Sequence, residues 1–213
     1  DFALDRGVVR FRSAELDTDA CHASFKGTFK IEGAVTNLEM AIRSSDFSEV
    51  DRVGYNLARS ADKEDYELLG LGGAGTISGT VRGPIDYPQV VAKIDGTGAR
   101  FNEVLLGSAD IALRYDGDRS VMTFDRARFT EGSGVLSLTG TVSFPESGPA
   151  PLFDIAVEAT GYPAQRAIDA VELDLQIGPG LATGKLIVAG SEETGRATFA
   201  NLRILRAEAT LAL

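Results

Sequence analysis

The 213-residue sequence holds one cysteine, one histidine, no tryptophan and seven prolines. A lone Cys21 excludes an internal disulfide and a cysteine-rich metal site. The only histidine, His22, is its neighbour. Adjacent residues of a strand point to opposite sides, so this pair cannot share a proton or a metal ion. The expectation is a half-buried thiol beside an exposed imidazole. No run approaches the ~20 apolar residues that a membrane-spanning helix needs, and no signal-peptide pattern is present. Lys and Arg number 21 against 31 Asp and Glu, a net charge of −10, with no basic cluster. That balance argues against binding a phosphate backbone and against docking on an anionic membrane surface. The chain opens on Asp1 and stops within an apolar run at Leu213, which reads as a piece of a longer protein.

The constellations that would mark an enzyme each fail. In Gly73-Ala74-Gly75-Thr76-Ile77-Ser78-Gly79 the third glycine sits one place too far for a dinucleotide fingerprint. The residues from Thr76 to Arg82 alternate as a strand where a helix is required. Gly178-Pro179-Gly180-Leu181-Ala182-Thr183-Gly184-Lys185 is one residue too long for a phosphate loop, and Leu186 replaces its Mg²⁺-binding hydroxyl. Asp62, Glu64 and Asp65 lack the spacing of an EF-hand and read as a solvated loop. The expectation is therefore no enzyme, no cofactor and no metal.

What the chain has is alternation. Phe29 and Ile31 fall on one side of a strand, with Thr28, Lys30 and Glu32 on the other. The pattern recurs in Leu38–Arg43, Thr76–Arg82, Ala109–Arg114, Leu152–Val157 and Val171–Ile177. Period two over such lengths marks strands with one apolar and one wet side. Turn signals separate them at Asp116-Gly117-Asp118, Glu131 to Gly134, Gly178-Pro179-Gly180 and Ser191 to Gly195. At the usual spacing this amounts to about fifteen strands of an antiparallel meander. Two segments depart from it. Asp46 to Leu57 has apolar residues three and four apart behind an Asp-x-x-Glu cap, predicting a helix of three turns or fewer. Thr160 to Ile168 predicts a second short helix, with Pro163 suited to its first position.

The chain also repeats itself. Asp5–Ile31 and Asp118–Phe144 align without a gap at a constant offset of 113 residues (Asp5 to Asp118). Identities fall at Asp5/Asp118, Arg6/Arg119, Val8/Val121, Phe11/Phe124, Ala14/Ala127, Ser24/Ser137, Gly27/Gly140 and Thr28/Thr141. Chance would give about two matches in a segment of this length. Further on, Leu38/Phe153, Met40/Ile155, Ile42/Val157 and Phe47/Tyr162 match at an offset of 115 (Leu38 to Phe153). More loosely, Gly75–Gly83 corresponds to Thr183–Gly190, and Ala109–Leu113 to Ala207–Leu211. Repetition implies units that stack on their neighbours. The units run 1–117 and 118–213.

Half-apolar strands must hide one side. A closed sandwich or barrel does so, and so does a long curled sheet whose concave side is an apolar trough. Repetition favours the second: an all-β, elongated, curled and mostly antiparallel sheet, solenoid-like, with an apolar concave face and two short helices. Residues 1–213 then form one β-groove.

Gly75-Thr76-Ile77-Ser78-Gly79-Thr80-Val81-Arg82-Gly83-Pro84 leads into Tyr87-Pro88-Gln89-Val90-Val91-Ala92-Lys93-Ile94, followed by Ala99-Arg100-Phe101 and the strand Ala109–Leu113. With Leu138-Thr139-Gly140-Thr141-Val142, this resembles the recurring unit of the TamB family (translocation and assembly module), among the AsmA-like repeating-groove or β-taco proteins. The resemblance implies a hydrophobic groove in a protein anchored in the inner membrane and bridging the periplasm. It implies a role in outer-membrane biogenesis, by phospholipid transport between membranes or by assembly of outer-membrane β-barrels. A membrane anchor and the outer-membrane β-barrel partner's binding end would lie outside this segment. The groove lining expected for lipid acyl chains is Phe29, Ile31, Leu38, Met40, Ile42, Ile77, Val81, Ile111, Leu113, Val142, Phe144, Ile155, Val157, Leu173, Leu175, Ile177, Leu186 and Val188. The alternatives are a scaffold or chaperone for assembly or secretion of outer-membrane β-barrel proteins, and a closed β-sandwich binding or adhesin module.

Overall fold

A computed structural model describes residues 1–60, 68, 70–102, 104–145, 151–169, 180–191 and 202–212. Its strands are β1 (Phe2–Asp5), β2 (Val8–Asp17), β3 (Cys21–Lys30), β4 (Val35–Ser44), β5 (Gly72–Pro84), β6 (Gln89–Phe101), β7 (Val104–Asp116), β8 (Val121–Glu131), β9 (Gly134–Ser143), β10 (Leu152–Pro163), β11 (Leu181–Ser191) and β12 (Leu202–Ala212). Helix α1 (Phe47–Ser60) lies between β4 and β5, and α2 (Ala164–Asp169) between β10 and β11. The strands form one sheet in chain order, each antiparallel to the next. β1 and β12 are its two edges and do not pair, so the sheet is not closed. A closed sandwich is not the architecture of the described residues.

The strands number twelve among the described residues, against about fifteen expected from turn spacing. The expected strand Val171–Ile177, and with it Leu173, Leu175 and Ile177, lies outside the described residues. So do Asp62, Glu64 and Asp65.

The repeat read from identities is also a repeat of backbone detail. Hairpin β2–β3 carries a bulge between Phe11 and Ala14, opposite Gly27. Hairpin β8–β9 carries one between Phe124 and Ala127, opposite Gly140. Gly27 and Gly140 have φ of 137° and 134°. A Cβ on either would lie 2.0 or 2.1 Å from a carbonyl oxygen of the next strand, Asn37 or Asp154. Only glycine fits, because the bulge presses one backbone against another. Before each hairpin, Gly7 and Ser120 turn the chain with φ of 75° and 51°. Their carbonyls accept from the amides of Ile31 and Phe144, both at 2.8 Å.

Each helix starts where its strand runs out. Asp46 caps α1, its Oδ1 accepting from the Ser48 amide at 2.9 Å. Glu49 does not reach back to complete a capping box. It accepts instead from the Ala20 amide at 2.9 Å, and Ser44 Oγ serves the Asp46 amide at 3.1 Å. At 14 residues, or about four turns, α1 outruns the three expected. The six-residue α2 begins just after Pro163, which closes β10 and does not open the helix.

In sheet order β12 follows β11 as β6 follows β5. The stretch Ala207–Leu211 thus holds the place of β6, and its loose likeness to Ala109–Leu113 of β7 does not follow the sheet.

Candidate functional site

Pairing register shows which side chains sit beside one another, since directly opposed residues of a pleated sheet share a side. From Phe25 the row runs Met40, Gly79, Ala92, Leu113, Phe124, Gly140 and Ile155, with backbone positions continuing through Val188 and Ile204. A parallel row runs from Ala23 through Ile42, Ile77, Ile94, Ile111, Ala127, Leu138 and Val157 to Leu186. A third takes Leu38, Val81, Val90, Tyr115, Met122, Val142 and Phe153. None of the three holds a charged residue.

Twelve of the eighteen expected lining residues fall in these rows, Val188 by its backbone alone. Phe29 belongs to the same side, opposite Thr36. Ile31 and Phe144 do not reach the strands' interior. Each lies one residue past its strand, in equivalent turns, 56% and 39% exposed.

The other side carries the charges. Lys26 pairs with Glu39 at 2.8 Å, Arg114 with Asp125 at 2.6 Å and Arg126 with Asp110 at 2.7 Å. The hydrogen bonds from Arg114 pull the Asp125 carboxyl below its usual range, and the bond to Glu39 raises Lys26. These pairs are solvent-exposed and screened by water, so they keep this side soluble more than they stabilise the fold.

The rows are only partly out of water. Ala23, Ala92, Ala127, Val142 and Val157 are buried, but Phe25, Phe29, Met40, Ile42, Ile77, Ile111, Leu113, Leu138 and Ile155 remain half-exposed. Two open concavities of about 320 and 330 Å³ adjoin Met40, but their walls come mostly from the other side of the sheet: Ser24, Lys26, Glu39 and Ala41 at one, Glu39, Ser78, Thr80, Val91 and Lys93 at the other.

At one end of the strands a row of small residues crosses the first unit: Ser44, Gly75, Gly96 and Ala109. Phe47 fills that space. Its ring lies 3.2 Å from where a Cβ of Gly96 would stand, beside Ala109. In the second unit the matching row runs Ala159, Gly184, Ala209. There Tyr162, fully buried, packs with Leu136 and Val157, and Ala167 of α2 packs against the same cluster.

The Tyr162 hydroxyl donates to the Leu106 carbonyl of β7 at 2.8 Å. β7 and β10 are three spacings apart in the sheet, about 14 Å if it were flat. A tyrosine side chain is far shorter, so the sheet bends here toward the side bearing the rows. Burial raises the Tyr162 phenol, with Glu131 adding to the rise and Arg166 opposing it. Arg166 lies 2.7 Å from Glu131 Oε1. The approach is not that of a directed hydrogen bond and acts through charge.

The alternation of Cys21 and His22 holds. Cys21 stands opposite Ser44 in the small-residue row, its thiol pKa raised by burial and then by Glu49. His22 lies on the other side, exposed, with Nδ1 2.6 Å from Asp17. A thiol held protonated is a poor nucleophile. Among the described residues, no group of three or more His, Cys, Asp or Glu could hold a metal ion. No described helix is long and apolar enough to cross a membrane.

Sequence reasoning missed the placement of the helices. The match of Phe47 with Tyr162 was visible, and both are aromatic residues leaving a strand. Where the two rings land was not, because the neighbours come from several strands: Gly96 and Ala109 at Phe47, Leu136, Val157 and Leu106 at Tyr162. The chain matches no protein-family model, no curated protein and no solved structure.

Proposed function

We propose that the chain is a segment of a lipid-conducting groove, in which the three charge-free rows line an apolar trough. The observation that carries this reading is their continuity across β3 to β10, with no covering layer among the described residues except at the helix end. From β3 to β10 the track crosses eight strands, a length of roughly 34 Å at ~4.8 Å per spacing. Each methylene moved out of water onto it contributes about 0.8 kcal/mol at full burial. A track of uniform chemistry gives an acyl chain similar energy at every position, so the chain slides along it. The occupant is a phospholipid bound by its acyl chains, with no covalent step and no cofactor.

The resemblance to TamB proteins supplies the wider setting as part of the proposal. It makes this a periplasmic segment of an inner-membrane-anchored protein that serves outer-membrane biogenesis, with an outer-membrane β-barrel partner met elsewhere in the protein. The test is a pair of neighbouring substitutions read with a phospholipid that carries a fluorophore on its acyl chain. Ile111→Arg, within a row, is expected to abolish binding, and Ala112→Arg, on the other side of β7, to leave it intact, with both variants folded. Equal binding by the two variants removes the reading.

A second reading has one observation in its favour. β1 leaves its outer edge unpaired, and a free edge adds foreign strands by backbone hydrogen bonds. A scaffold for nascent β-barrel strands would crosslink to unfolded barrel protein along Phe2–Asp5.

A further inference from the structure

The two ends of the strands are built differently, and that asymmetry gives the trough a direction across its width. At one end the helices form a nearly continuous cap. α1 reaches back to the β2–β3 turn through Glu49 and the Ala20 amide. It reaches forward through Asp51, almost fully buried, whose Oδ2 accepts from the Leu71 amide at 3.2 Å just ahead of β5. Its Phe47 lies over Gly96 of β6. The next span belongs to the second helix. Tyr162 reaches Leu106 of β7, Arg166 meets Glu131 at the end of β8, and the Ala164 amide donates to the Gly180 carbonyl before β11 at 2.9 Å.

At the opposite end the connections whose residues are described are short turns: Arg6–Gly7, Ile31–Ala34, Ile85–Pro88 and Gly117–Ser120. No described helix lies there. This rim carries charges of both signs, among them Arg6, Lys30, Glu32, Asp86, Asp118 and Arg119, which are exposed.

From this we infer that an amphipathic lipid sits across the strands in one orientation, with its polar headgroup at the helix-free rim and its acyl ends toward α1 and α2. This inference rests on the lipid-groove reading. A headgroup at the other end would have to displace Phe47 from Gly96 and Tyr162 from Leu136 and Val157, and bury its charge among apolar side chains, which is costly. At the turn end it stays in water beside charged residues. The helices therefore close one rim, and lipid enters and leaves across the other.

The test uses a fluorophore on a single cysteine, in a Cys21→Ser background, at either rim. Asp86→Cys reports the helix-free end, and Ser133→Cys, in the β8–β9 turn, the helix end; both positions are exposed. The strands between are 10–13 residues long, so the labels stand roughly 30–40 Å apart, far enough for contact quenching to tell them apart. The probes are phosphatidylcholines with a nitroxide on the headgroup or at the acyl terminus. The expected result is loss of fluorescence at position 86 with the headgroup nitroxide and at position 133 with the acyl-terminal one. The reversed pattern, or equal loss at both positions, overturns the orientation while leaving lipid binding in place. No loss with either lipid at either position overturns the orientation and the groove reading together.

Discussion

The two helices hold the same place in successive units and are fastened by different means. α1, with 14 residues, is tied by carboxylates to backbone amides: Asp46 to its own first turn, Glu49 to Ala20 and Asp51 to Leu71. α2, with six residues, is too short to be stable alone and is held by Tyr162 just ahead of it, by the Ala164 amide on the Gly180 carbonyl and by Arg166 beside Glu131. Tyr162 is fully buried, whereas its counterpart Phe47 keeps 7% exposure. The repeat keeps an aromatic residue where each strand ends, but Phe47 lies over Gly96 and Ala109 whereas Tyr162 packs on Leu136 and Val157, so both the seat and the ties differ. Where the helix is long, carboxylate ties are spread along it; where it is short, the buried ring and hydroxyl just ahead of it are the principal anchor.

That contrast sets an order of sensitivities. Tyr162→Ala is expected to be the most damaging change, at about 4–5 kcal/mol by urea unfolding, because it leaves a ring-sized cavity and an unsatisfied Leu106 carbonyl. Phe47→Ala should cost about 3 kcal/mol in the same assay, since the longer helix retains its carboxylate ties. Equal losses would erase the distinction between the two caps.

The hairpins make the opposite prediction, of equality. Gly27→Ala and Gly140→Ala each force a side chain at φ near 135° against a carbonyl oxygen. Each should cost about 2–3 kcal/mol, the same within error. A clear difference would mean that the hairpins share a sequence but not a role. Asp46→Ala should cost about 1 kcal/mol, the usual worth of an N-cap, and α2 has no counterpart to lose.

The smallest effect is alkaline. Burial raises the Tyr162 phenol above its ordinary value of 10.0, so the folded state favours the neutral form. Its contribution is complete below pH 10 and is lost as pH rises from there through the folded value. Tyr162→Phe should flatten the fall in stability above pH 10, at a cost near neutral pH of about 1 kcal/mol for the lost hydrogen bond. An unchanged alkaline slope would assign that fall to other groups.

Much of this was legible in the sequence. Alternation located the strands and identities located the equivalent hairpins, whereas the bulges opposite Gly27 and Gly140 emerge only from strand pairing. The strand count was less legible. β5, β6 and β7 are each 13 residues long, and in β6 the alternation loses phase between Gly96 and Ala99 while pairing with β7 continues through register shifts. A broken period reads as a turn, but the backbone passes through it as a bulge. α1 ran longer than its apolar period because Ala58 and Arg59 favour a helix without contributing to an apolar stripe. Ile31 and Phe144 kept the period of their strands yet fell in the turns, where Gly7 and Ser120 claim their amides. The seats for Phe47 and Tyr162 depend on register between strands tens of residues apart, which no local pattern encodes.

Which residues share one side of the sheet was the most legible part. Phe25, Ile94, Phe124 and Phe153 join the expected residues in the rows through pairing alone. The rows gain meaning only if something apolar occupies them. The most direct measurement is a native mass spectrum of the protein after incubation with phospholipid vesicles. The lipid-groove account predicts an intact protein carrying phospholipid-mass adducts that collisional activation releases. A spectrum of bare protein alone, from a sample that remains folded, would contradict it.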